Sequence, residues 1–233
     1  MDDIVRAQID YYRARAAEYD EWWFRHGRYD QGPERNAVWF QEVDEIERAL
    51  LAADPRGHVL EIACGTGLWT QFLAPRARRM TALDAVGETI ALNRARVKSA
   101  NVDYLEADVF AWQPSARYDF IFFGFWISHI PRARWESFWS MIERAIAPDG
   151  TVFFVDNRPY AFHAEVSERR SHEGDTIDMR TLNDGREFAI VKNFFEPAAL
   201  QAELARRGWS GYVRECAAFF IYGAVSRSDR AAA

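Results

Sequence analysis

The run Val59-Leu60-Glu61-Ile62-Ala63-Cys64-Gly65-Thr66-Gly67 is an apolar strand that ends in an acid and then a glycine turn opening a helix. Glycines are needed where backbone must approach a ligand closely, and open α/β sheets bind ligands at the carboxyl ends of their strands. The run therefore predicts a nucleotide-type crevice. A dinucleotide fingerprint would place a third glycine three residues after Gly67, where this chain has Thr70, so the turn suits a ligand without a pyrophosphate. Asp84 ends the next apolar run, 19 positions after Gly65, where a carboxylate can accept both hydroxyls of a ribose. Asp108, in Glu106-Ala107-Asp108-Val109, follows a third run and can accept from an adenine amino group.

Such residues need a parallel sheet to hold them in one row. From residue 57 onward short apolar strands alternate with helical stretches, the pattern of βαβ units. The predicted strands are His58–Ile62, Met80–Leu83, Val102–Leu105, Tyr118–Phe123 and Thr151–Val155. Trp135, Phe138, Trp139, Ile142 and Ile146 form a helical face closed by Pro148-Asp149-Gly150. Ahead of the sheet, Tyr12, Ala16, Tyr19 and Trp23 share one face of a helix predicted over residues 4–24. A second helix follows Gly32-Pro33 and runs to about Ala53. These segments, residues 1–54, read as a helical cap or lid on a core of residues 55–226, with 227–233 a frayed tail. Within the core, His163 to Asp178 reads as a charged loop or irregular helix. Asn183-Asp184-Gly185 joins Thr176–Leu182 and Glu187–Asn193 as a hairpin, followed by a helix at Pro197–Arg207 and a strand region at Tyr212–Val225.

Glu61 to Gly67, Asp84, Asp108, Tyr118-Asp119-Phe120-Ile121 and Ala147-Pro148-Asp149-Gly150 together resemble the ordered motifs of class I S-adenosylmethionine-dependent methyltransferases. Tyr11-Tyr12 and Tyr19-Asp20 resemble the small-molecule branch, in which such a helix covers the cofactor. The resemblance implies an α/β, Rossmann-like sheet in the order 3-2-1-4-5-7-6, the last strand antiparallel. It implies S-adenosylmethionine as cofactor, with Glu61, Ala63, Gly65, Thr66 and Gly67 around the methionine part. Ala63 stands where the family usually has the first loop glycine. Asp84 and Ala85 then hold the ribose, Asp108 and Val109 the adenine, and Gly124, Tyr11 and Tyr19 complete the contacts.

Methyl transfer is an in-line displacement, so the site mainly positions a nucleophile and, where needed, removes its proton. His129, in Gly124-Phe125-Trp126-Ile127-Ser128-His129, is the expected base. Asn157 and Arg158 end the fifth strand on the same side, and Tyr12, Trp22, Trp23, Trp126 and Tyr160 are the expected aromatic enclosure of a small, partly apolar acceptor. A sulfonium beside such rings gains cation–π attraction. The residues leave oxygen, nitrogen and carbon open as the methylated atom.

Composition bounds the alternatives. Of 233 residues 49% are apolar and 27% charged, enough for a buried core. Thirty-five acidic against 29 basic residues argue against a nucleic-acid partner. The polar-Pro-Pro-aromatic run of DNA amino-methyltransferases is absent at Gly124-Phe125-Trp126, and Arg76/Arg78/Arg79 and Arg94/Arg96 read as solvated helix faces. No apolar run approaches membrane-span length and no secretory signal is visible, so no membrane partner and a cytoplasmic location are expected. Cys64 and Cys216 read as buried thiols, and His163, Glu165, His172 and Glu173 lack metal-ligand spacing, so no metal is expected. A non-catalytic cofactor-binding module and a nicotinamide-dependent oxidoreductase are the competing functions, the latter disfavoured by Thr70. The oligomeric state is left open.

Overall fold

The computed structural model describes residues 2–159 and 169–228. Seven strands form one sheet: β1 (His58–Ile62), β2 (Arg79–Asp84), β3 (Val102–Glu106), β4 (Tyr118–Gly124), β5 (Ile146–Asn157), β9 (Trp209–Glu215) and β10 (Phe220–Arg227). Their order is β3-β2-β1-β4-β5-β10-β9. The first five run parallel, while β10 lies antiparallel between β5 and β9. This is the expected 3-2-1-4-5-7-6 arrangement. In β4 the side chains alternate, Phe120 and Phe122 entering one core and Ile121 and Phe123 the other. Both faces are therefore covered by helices, which is why the strand reads as an unbroken apolar run.

One core lies under α3 (Pro33–Ala52), whose Trp39, Ile46 and Leu50 pack on Val59 and Phe120. The other lies under α6 (Trp135–Ala145), through Phe138, Trp139 and Ile142. Pro33 opens α3 at a position where its missing N–H costs nothing. The short helices α4 (Thr70–Leu73) and α5 (Gly87–Val97) follow β1 and β2.

The amino-terminal stretch departs from the single predicted helix. It is α1 (Asp2–Arg15), a turn, and α2 (Asp20–Trp23). The i→i−3 bonds Ala16 N to Arg13 O and Glu18 N to Arg15 O keep the chain locally helical through the break, so the apolar spacing conceals it. The segment read as a charged loop also differs. Arg169–His172 is strand β6, paired with β7 (Asp175–Thr181), which pairs with β8 (Glu187–Val191) in a separate three-stranded antiparallel sheet. That sheet accounts for the hairpin in excess of the family's usual strand pair. β8 packs on α1, where Gln8 donates to the His129 carbonyl at 3.1 Å and accepts from Val191 N at 3.2 Å. α7 (Pro197–Arg206) leads to β9. β10 extends through Arg227, one residue beyond the expected core, and residues 229–233 of the expected tail lie outside the described residues. Among the described residues no helix is long and apolar enough to cross a membrane.

Candidate active site

At the carboxyl ends of β1, β2 and β4 lies a pocket whose empty space, open solvent included, is about 710 Å³. The glycine turn forms its floor. Ala63 and Gly65 both take left-handed backbone, at φ 54° and 49°. Gly67 does not line the pocket. Its missing Cβ instead makes room for Asn93 of α5, whose Oδ1 would stand 2.6 Å from an added carbon. Asn93 in turn donates to the Thr70 hydroxyl at 2.8 Å, and Thr70 donates to Glu61 at 2.6 Å. Burial pushes the Glu61 carboxyl up to about 8, against the lowering effect of the Thr70 bond. A buried acid with one side-chain partner is suited to a cationic ligand group beside it.

Asp84 stitches the turn to β2. Its carboxylate accepts from Gly65 N at 2.8 Å and Val86 N at 3.0 Å, and it lines the pocket. Asp108, Val109, Ala85, Gly124 and Trp126 line it as well. Val5, Ile9 and Tyr12 of α1 and Tyr19 complete the wall, so the amino-terminal helix roofs this pocket. Thr66 faces the other way from the roofed pocket, donating to Asp20 of α2 at 2.6 Å, while Arg96 donates to the Thr66 carbonyl at 2.7 Å and pairs with Asp20. Arg96 is thus a latch between cap and turn rather than a solvated side chain. Two acids, Asp84 and Asp108, among largely apolar walls fit S-adenosylmethionine, while Glu61 lines a smaller adjoining pocket with Ala63, Gly65 and Gly124.

A second pocket, of about 430 Å³, shares Tyr12, Tyr19 and Phe125 with the first. Its polar groups come from α1, β7, β8 and the ends of β4 and β5. Arg15, Arg180 and Lys192 line it, with Tyr29, Trp22, His129 and Asn157. Lys192 is 3% exposed and donates to Ser128 Oγ at 2.7 Å and Asp156 at 3.0 Å. Burial lowers its pKa, opposed by Asp156. Arg180 pairs with Asp178 at 3.1 Å. Arg15 meets phenols, donating to the Tyr11 and Tyr29 hydroxyls at 2.9 and 3.0 Å. Its Nε and the Asn157 Nδ2 are buried donors without a hydrogen-bond partner.

His129 lines the second pocket, behind the shared Tyr12. Its Nδ1 lies 2.6 Å from the Val191 carbonyl oxygen, which only accepts, so Nδ1 carries the proton. Nε2 must then accept, and the Tyr12 hydroxyl 2.8 Å away donates to it. Burial and the nearby charges of Lys192, Arg180 and Arg15 hold the imidazole well below its usual pKa, so it is neutral at pH 7. The expected base therefore has no ring nitrogen free to meet an acceptor directly.

Four further residues expected at the site are placed as follows. Tyr11 is buried against Leu182 and Ile190 and contacts neither pocket. Trp23 packs on Trp39 and Trp69 in the core. Arg158 turns back to the Cys216 and Ala217 carbonyls and to Glu215. Trp126 lines the first pocket rather than the second. Tyr160, with His163 and Glu165, lies outside the described residues, and among those described no cluster of His, Cys, Asp and Glu could hold a metal ion. Sequence reasoning missed Arg15, Tyr29, Arg180 and Lys192. The signal available was alternation: Asp178 and Arg180 on β7, and Lys192 just beyond β8 in step with its Ile190, place charges on the inward face of a hairpin.

The sheet order, the glycine turn and the acid at the end of β2 are those of a Rossmann-like cofactor-binding enzyme. The model of the methyltransferase domain family matches residues 59–150. The solved DhpI complex with SAH is 36% identical, covering 97% of this chain and 98% of that one at a TM-score of 0.77. The DhpI-SAM-HEP complex gives 37%, 95%, 97% and 0.79. Nodulation protein S of Sinorhizobium fredii is 32% identical over 87 residues, a match spanning 37% of this chain and 40% of that protein. The chain belongs to the class I S-adenosylmethionine-dependent methyltransferases.

Proposed function

We propose that this methyltransferase transfers the methyl group to an ionised oxygen of a small anionic acceptor. The observation that carries the reading is the charge of the second pocket. Among the described residues three cations, Arg15, Arg180 and Lys192, converge there with two carboxylates, Asp156 and Asp178, beside them, and Arg15 donates to phenols. Buried positive charge in excess calls for a ligand anion. The unpartnered donors Arg15 Nε and Asn157 Nδ2 suit oxygen acceptors such as a carboxylate or phosphoryl group.

In the adjoining pocket Asp84 would take the ribose hydroxyls and Asp108 the adenine amino group, and Glu61, beside it with Gly65, the methionine end. Tyr19 and Trp126 offer aromatic faces, and the roof formed by α1 excludes water. The cofactor, when bound, supplies an electrophilic methyl group on a sulfonium. Arg15, Arg180 and Lys192 hold the acceptor with one oxygen toward the shared wall of Tyr12, Tyr19 and Phe125. Held there, that oxygen would be in line for the cofactor's methyl group, the C–O bond forming at the expense of the C–S bond, whose electron pair would stay with sulfur. No proton is removed, which accords with an imidazole whose protonation the surrounding cations oppose.

The test is to incubate the enzyme with S-adenosylmethionine and matched sets of small carboxylates, phosphonates, alcohols and amines, and to detect methylated products by mass spectrometry. Methyl esters of the anions alone are expected. Turnover confined to alcohols or amines would overturn the reading.

A further inference from the structure

The two pockets meet only at Tyr12, Tyr19 and Phe125 among the described residues, so a group passing from one to the other crosses between these side chains. Phe125 presents carbon atoms only. Tyr19 has the Arg15 guanidinium over its ring, 5.1 Å from the centroid. Tyr12 differs because its hydroxyl orientation is set from behind. The Val191 carbonyl fixes the His129 tautomer, and His129 Nε2 then takes the Tyr12 proton as a hydrogen bond. The ring of His129 stands edge-on to that of Tyr12, at 85° and 5.6 Å. With its proton committed, the Tyr12 oxygen has only lone pairs left to turn elsewhere.

The surroundings give those lone pairs a purpose. Arg15, Arg180 and Lys192 make the junction unfavourable for the positive sulfonium, and a hydroxyl proton turned inward would add to the repulsion. The geometry points to the Tyr12 hydroxyl oxygen as a contact of the cofactor's sulfonium methyl group, accepting its polarised C–H bonds, with His129 as the positioning residue that keeps the hydroxyl proton turned away. The inference rests on the proposed placement of cofactor and acceptor in the two pockets, but not on which acceptor is used. It concerns a group that the product cofactor lacks.

The experiment compares affinities of S-adenosylmethionine and S-adenosylhomocysteine by calorimetry, without acceptor, in the wild type, Tyr12→Phe, His129→Leu and Asp84→Ala proteins. Asp84→Ala weakens both ligands alike. If it weakens neither, the placement itself is wrong. Tyr12→Phe lowers the affinity for S-adenosylmethionine by roughly three- to tenfold relative to the homocysteine, the scale of weak C–H···O contacts strengthened by charge. His129→Leu moves the ratio the same way but less, because the hydroxyl is freed rather than lost. It decides the matter should Tyr12→Phe fail to fold. A second readout is the bound methyl proton resonance, which shifts upfield in Tyr12→Phe. An unchanged affinity ratio in whichever of the two variants folds, with Asp84→Ala weakening both ligands, would overturn the role given to Tyr12.

Discussion

The pocket proposed for the cofactor and the pocket proposed for the acceptor, here the cofactor half and the acceptor half, are built on different principles. Glu61, Ala63, Gly65 and Asp84 sit on two adjacent strands and the turn after the first, joined by the Gly65–Asp84 bond across 19 positions. The acceptor half draws Arg15 from α1, Arg180 from β7 and Lys192 from beyond β8, and the bond from Val191 N to Gln8 that ties these elements spans 183 positions. The first half is held by backbone donors converging on a carboxylate. The second is held by ion pairs and phenols around a surplus of positive charge. A local motif can therefore carry the cofactor from protein to protein, whereas the acceptor site depends on how the cap and the small sheet are docked.

Removing Lys192 should be the most damaging change in the acceptor half. Lys192→Ala leaves Asp156 buried and uncompensated, and loss of one partner of such a pair costs about 3–5 kcal/mol in urea unfolding. A loss under 1 kcal/mol would mean that the acceptor half is not held by charge.

A paired substitution tests whether the halves are separable. Asp84→Ala is expected to weaken S-adenosylhomocysteine by about 1.5–3 kcal/mol while the protein stays folded. Arg15→Leu is expected to lower kcat/KM for the acceptor by about 10–150-fold, the same energy range, with homocysteine affinity changed less than about threefold. Equal effects of both variants on cofactor binding would merge the halves into one site.

The halves also carry opposite pH dependences. Glu61, raised to about 8, binds a proton that the unfolded chain releases near its ordinary value, so its contribution to stability is lost as pH rises through that interval. His129, lowered by burial, resists a proton that the unfolded chain takes up, so stability falls as pH drops below about 6.5. Melting temperatures across pH should show both limbs in the unliganded protein. Glu61→Gln should flatten the alkaline limb and leave the acid one, and a variant with both limbs intact would break the assignment.

The smallest expected effect is at the turn. Ala63 has a left-handed φ of 54°, which costs a Cβ-bearing residue about 1 kcal/mol or more, partly offset by the entropy a glycine would lose. Ala63→Gly is expected to stabilise the protein by under about 1 kcal/mol in urea unfolding. A destabilisation would show that the Ala63 methyl packs favourably enough to outweigh its backbone strain.

Legibility in the sequence follows the same division. The five parallel strands were readable because strands buried on both faces are short apolar runs, and Glu61, Asp84 and Asp108 because each ends one of those runs or follows closely. The break between α1 and α2 was not, because turn residues Ala16 to Tyr19 keep helical spacing while Asp20 is drawn to Thr66 and Arg96. β6 was not, because Arg169–His172 carries no apolar alternation and is a strand through its pairing with β7. Tyr11 and Trp23 were placed in the site by sharing its neighbourhood in sequence, but each turns into a core that only packing defines.

By itself the chain's order of residues determined the sheet, the cofactor turn and the acids along its edge, since these depend on side-chain periodicity and on backbone contacts between neighbouring strands. Only the tertiary structure decided which charges line the second pocket and which tautomer His129 holds. Arg15, Arg180 and Lys192 are ordinary surface-type residues in sequence. They become a site because α1 and β8 dock on each other, and the field they create at His129 exists only once burial has removed the water that would screen it.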